Sequence, residues 1–116
     1  MEQHITITEV TWDHIEFSNG QIIYYDHERD CCERNYADFN QLEPLALSTV
    51  FNNYIIIEEA GHSGFRFGNP PDKMFFIPCY SEQNGWYSND LNIFCSLKNE
   101  NFELQQKLYL NDIDIY

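Results

Sequence analysis

Positive charge is what this sequence has least of: six lysines and arginines stand against nineteen aspartates and glutamates, a formal net charge of −13 at neutral pH. Repulsion opposes binding of nucleic acid through its phosphates and adsorption to an anionic membrane, and neither is expected. No apolar run approaches the roughly eighteen residues of a membrane span, and the first residues lack the basic, apolar and small-residue segments of a secretory signal. A cytoplasmic protein is therefore expected. Cysteine is also sparse. Cys31 and Cys32 are adjacent while Cys79 and Cys95 stand apart in apolar segments, a spacing unlike a secreted disulfide scaffold, so reduced thiols are expected. The glycines of Gly61-His62-Ser63-Gly64-Phe65-Arg66-Phe67-Gly68 fit neither dinucleotide nor P-loop spacing, and no Lys-Ser/Thr pair follows them. Internal repeats, low-complexity segments and linkers are absent.

What is abundant is aromatic: nine Phe, eight Tyr and two Trp in 116 residues. Such side chains fill a core in small numbers and favour strands. The length suits one domain spanning 1–116. The negative charge is uneven, with twelve acids and two bases over residues 1–60 (−10) against seven acids and four bases over 61–116 (−3).

In chain order, Ile5 and Ile7 alternate with threonines, and Val10 and Trp12 then take the opposite parity, which predicts a first strand that bends or bulges near Thr8 and Glu9. Ser18-Asn19-Gly20-Gln21 predicts a hairpin with a two-residue type I′ turn. That turn would set Phe17 opposite Ile22, Ile15 opposite Tyr24 and Asp13 opposite Asp26. Tyr36, Phe39 and Leu42 have helical spacing, Asp38 and Gln41 resemble a capping box, and Pro44 would stop a short helix at about Glu43. Tyr54–Ile57 and Met74–Ile77, the latter ending at Pro78, read as strands, and Gly61–Gly68 as a turn and a short strand. Residues 79–90 read as a polar, aromatic loop holding Trp86 and Tyr87. Leu91, Ile93 and Cys95 alternate on one further strand, and Phe102, Leu104, Gln106, Leu108 and Leu110 on another, with Ile113 and Ile115 expected to pair or pack. The expected architecture is α+β, a mainly antiparallel sheet of seven or eight strands with one short helix in a single domain.

The densest chemistry lies between Tyr24 and Asn35, which holds His27, Cys31, Cys32, four carboxylates and two of the six basic residues. Zinc needs thiolates and imidazoles converging on one point, but adjacent cysteines on a strand point to opposite faces and no paired-cysteine knuckle is present. A cysteine nucleophile activated by His27 or His62 is disfavoured, because neighbouring carboxylates stabilise the thiol over the thiolate. No cofactor, metal or catalytic residue is expected, although a Cys/His site built on His27, Cys31 and Cys32, metal-binding or enzymatic, is the alternative. The preferred reading is display: Asp13, Glu16, Asp26, Glu28, Asp30 and Glu33 form an acidic face, with Trp86 and Tyr87 as interface anchors, for a partner protein with a basic surface.

Around Asp30-Cys31-Cys32-Glu33 the sequence resembles an uncharacterised family of small bacterial and phage proteins in which an amphipathic hairpin leads into Asp-Cys-Cys-Glu. Gly64-Phe65-Arg66-Phe67, Ile77-Pro78-Cys79-Tyr80, Asn84-Gly85-Trp86-Tyr87 and Ser88-Asn89-Asp90-Leu91 look like further landmarks of it. The resemblance implies no activity and no catalytic residues. It implies a phage or mobile-element context, in which small acidic proteins disable host complexes, as anti-CRISPR and other counter-defence inhibitors do. The expectation is a small acidic inhibitor acting by protein–protein contact.

Overall fold

Alternating apolar side chains run through most of the chain, and the fold gathers them between two facing sheets. The computed structural model describes residues 4–26, 34–83, 90–97, 102–110 and 112–114. Among these are ten strands: β1 (Ile7–Val10), β2 (His14–Phe17), β3 (Ile22–Asp26), β4 (Arg34–Ala37), β5 (Ile56–Glu59), β6 (Gly64–Asn69), β7 (Lys73–Gln83), β8 (Asp90–Leu97), β9 (Phe102–Tyr109) and β10 (Asp112–Asp114). One sheet has the order β1-β2-β3-β8-β9 and is antiparallel throughout. The other runs β10-β7-β6-β5 with β4 also on β7, and only β10 pairs in parallel. One core lies between them. Ile15, Ile23, Leu91 and Ile93 from the first sheet meet Phe65, Phe67, Ile77 and Cys79 from the second. Phe17 crosses the gap to Phe67 and Phe51 in edge-on contacts at 5.8 and 6.1 Å.

The expected mainly antiparallel β architecture is present, with more strands than expected and no α-helix among the described residues. The predicted helix at Tyr36–Glu43 is instead the strand β4 followed by a three-residue 3₁₀ turn, Phe39–Gln41. Asp38 does cap this turn, accepting from the Asn40 amide, but the capping box is not formed: Gln41 donates its side-chain amide to the Asp38 carboxylate at 2.8 Å. Tertiary pairing of Tyr36 with Tyr80 on β7 overrides the helical spacing. A second 3₁₀ turn spans Pro44–Ser48.

The predicted hairpin is present with a different turn. Phe17 donates to the Gln21 carbonyl and Gly20 donates to the Phe17 carbonyl, which makes a three-residue loop closed by Gly20 at φ 93°. The register becomes Ile15 opposite Ile23 and His14 opposite Tyr24. A one-residue change exchanges the faces of a strand. Ile15, Phe17 and Ile23 therefore share the core face, Tyr24 turns outward, and the expected Phe17–Ile22, Ile15–Tyr24 and Asp13–Asp26 pairings are not formed. The expected bulge in β1 is present: Ile7 pairs with Phe17 but Glu9 with Glu16, leaving Thr8 as the extra residue.

Strand β7 does not end at Pro78. The proline lacks an amide hydrogen where β4 stops pairing with β7, and its carbonyl still accepts from Asp38 at 2.9 Å. The predicted loop at 79–90 is accordingly strand as far as Gln83. The tail pairs, as expected, through β10.

Candidate functional site

Along each strand of the first sheet, one side chain in two faces away from the core, and the pairing registers place these outward residues in rows. One row reads Glu9, Glu16, Ile22, Ser96, Glu103. The next reads His14, Tyr24, Phe94, Gln105, and a third Asp26, Asn92, Lys107. At the centre the Tyr24 and Phe94 rings stack, with centroids 5.2 Å apart and planes 18° from parallel. Burial raises the Tyr24 phenol above its ordinary range, and the charges of Glu103 and Asp26 add to this against a hydrogen bond from Ser96. Carboxylates thus surround an aromatic platform, and Lys107 is the one lysine or arginine in these rows, lying 3.7 Å from Asp90.

The β1–β2 edge carries a compact polar group. His14 Nδ1 lies 2.8 Å from Asp13 Oδ1 and 3.0 Å from Thr11 Oγ1, and Thr11 donates to the same Asp13 oxygen at 2.7 Å. His14 Nε2 lies 3.6 Å from Glu9 Oε2. Partial burial opposes the imidazolium, but the Asp13 and Glu9 carboxylates outweigh it and raise the His14 pKa. Hydrogen bonds from Thr11 and then His14 lower that of Asp13. Trp12, 70% exposed, stands beside this group.

Of the acidic residues singled out in the sequence, Glu16 and Asp26 lie on this face and Asp13 at its edge. Glu28, Asp30 and Glu33, together with Trp86 and Tyr87, lie outside the described residues, as do His27, Cys31 and Cys32. The two described cysteines are core residues: burial pushes the Cys95 thiol up to about 12 and the Cys79 thiol higher still, so neither is a nucleophile at neutral pH. His62 is exposed and bound to the Tyr109 carbonyl, whereas both thiols are buried. Glu9, His14, Tyr24, Phe94 and Glu103 were missed. Their convergence depends on the β1 bulge and on β3 pairing with β8, some seventy residues distant, which local patterning does not encode.

The chain matches no protein-family model, no curated protein and no solved structure.

Proposed function

We propose that this is a binding protein whose outer face of the five-stranded sheet docks on a basic protein surface. The observation that carries the reading is the stacked Tyr24–Phe94 platform set among Glu9, Glu16, Asp26 and Glu103. Arginine is the residue that such a surface suits best, because its guanidinium stacks on aromatic faces while its fork pairs with carboxylates. The overall charge of −13 steers a basic partner towards the protein and repels nucleic acid. A protein groove that otherwise holds phosphates presents the complementary chemistry, so occupation of that groove would inhibit it, in a phage or mobile-element setting or elsewhere.

The test is affinity for a captured and identified partner, measured against salt and against the variants Glu16→Lys, Asp26→Lys and Phe94→Ser. Each charge reversal is expected to weaken binding about tenfold, in the range of a charge pair lost at an interface, and binding should fall as salt rises. Nucleic acid should compete for the partner. Affinity that ignores both salt and these variants would rule this face out.

A further inference from the structure

Glu9 and Glu16 sit directly opposite each other across β1 and β2, and like charges in that position destabilise a ladder. The bulge creates the opposition. If the Ile7–Phe17 register simply continued, Glu9 would face Ile15, whose side chain lies in the core; the extra residue Thr8 turns Glu9 outward instead. The distortion thus brings two carboxylates together where a positive charge is needed between them. The imidazole of His14 is already there: one ligand atom from each of Glu9, His14 and Glu16 lies within 4.8 Å of the others.

The His14 ring is held in the manner of a metal-bound imidazole. Its Nδ1 is engaged by Asp13 Oδ1 at 2.8 Å and Thr11 Oγ1 at 3.0 Å, leaving Nε2 towards Glu9. A carboxylate on one ring nitrogen fixes the tautomer and plane in which the other presents its lone pair to an ion. We propose that Glu9, His14 and Glu16 bind a divalent transition cation of the zinc class, with Asp13 as the positioning residue and water completing the coordination.

The dimensions fit. Tetrahedral zinc with nitrogen and oxygen ligands at about 2.0–2.2 Å places those atoms roughly 3.4 Å apart. The His14–Glu9 separation of 3.6 Å is already close to that, and the Glu16 oxygen, within 4.8 Å of both, and the Glu9 side chain, 53% exposed, close on the ion by side-chain rotation. One imidazole with two carboxylates suits zinc, cobalt or manganese better than calcium or magnesium, which take all-oxygen sets, or copper(I), which prefers sulfur. Binding releases the Nε2 proton of the imidazolium to solvent. Two carboxylates and a neutral imidazole then balance the ion's double charge. The site shares Glu9 and Glu16 with the acidic face, but uptake of the ion needs no partner protein and is read without one.

The experiment is titration of the intact, metal-free protein with Zn²⁺ alone by calorimetry, and with Co²⁺ by absorption spectroscopy. One ion per chain is expected, with cobalt d–d bands and no sulfur-to-cobalt charge-transfer band, which separates this site from any cysteine site. Glu9→Gln, His14→Gln and Glu16→Gln should each abolish the event, and Asp13→Asn should weaken it about tenfold, as loss of an outer-sphere partner does. Each variant is compared after its metal-free circular dichroism is shown to match the parent. Binding retained in His14→Gln, a thiolate band that disappears in Cys31→Ser/Cys32→Ser, or no zinc uptake by the parent protein would overturn the assignment. These outcomes leave Tyr24, Phe94, Asp26 and Glu103 untouched, so docking through that part of the face is tested separately by Asp26→Lys and Phe94→Ser.

Discussion

Gln21 illustrates how a single polar side chain can join two sheets. It is fully buried at the end of the hairpin, where its amide donates to the Ile55 carbonyl at 3.0 Å and accepts from the Ile55 amide at 2.8 Å. Gln21→Leu would leave both Ile55 backbone groups without these partners in the core. The Ile55 carbonyl keeps only the weak Cys95 thiol contact at 3.7 Å and the amide loses its partner, so a loss of about 1–3 kcal/mol is expected, read as a lower urea midpoint with an unchanged slope. The buried thiols give a pH dependence. Cys95 titrates near 12 in the folded chain against 9.0 unperturbed, and Cys79 is raised further in the same direction. Between those values the unfolded chain has lost protons that the folded chain keeps, so stability is full below about pH 9 and falls as pH rises towards the folded values. Under reducing conditions, Cys95→Ala should flatten the alkaline limb of the stability–pH curve. A limb of unchanged steepness would assign the loss to other groups.

At the scale of elements, the turn and the bulge together decide what faces outward. Gly20 closes the hairpin loop at φ 93°, where a β-carbon is strained, so Gly20→Ala is expected to cost about 1–2 kcal/mol. Gly68 is more tightly placed. At φ 135° a β-carbon there would run into the Lys73 carbonyl across the β6–β7 pair, with the Phe51 ring only 3.1 Å away. Gly68→Ala should therefore destabilise the fold more than Gly20→Ala, a ranking that parallel denaturant melts would settle. Equal losses at the two positions would mean that the β6–β7 pair yields at little cost.

Over the whole molecule, thirteen uncompensated negative charges repel one another in the folded state. The described ion pairs are few and each has at least one exposed partner, Arg66–Glu58 at 2.7 Å being the shortest, and such pairs contribute little. Screening of the repulsion should then outweigh screening of the pairs. The melting temperature is expected to rise between low salt and about 0.15 M sodium chloride, where the screening length drops to roughly 8 Å. A fall over that interval would show that local attractions such as His14 with Asp13 and Glu9 matter more than net charge.

The sequence by itself determined the β-rich composition, the alternation of β8 and β9, the bulge in β1, the existence of the first hairpin and the capping role of Asp38. Each of these is set by side chains a few residues apart. It left open what depends on distant partners. Tyr36 has helical neighbours but pairs with Tyr80, and Pro78 reads as a strand end but sits inside β7, because long-range ladders outweigh local preference. The same holds for the candidate sites. Asn19-Gly20 is compatible with a two-residue or a three-residue turn, and only the core, by burying Ile15 with Ile23, selects the register that turns Tyr24 outward to stack on Phe94 and opposes it to His14. Burial of apolar area across two sheets fixed that one-residue choice, and with it which charges share a face.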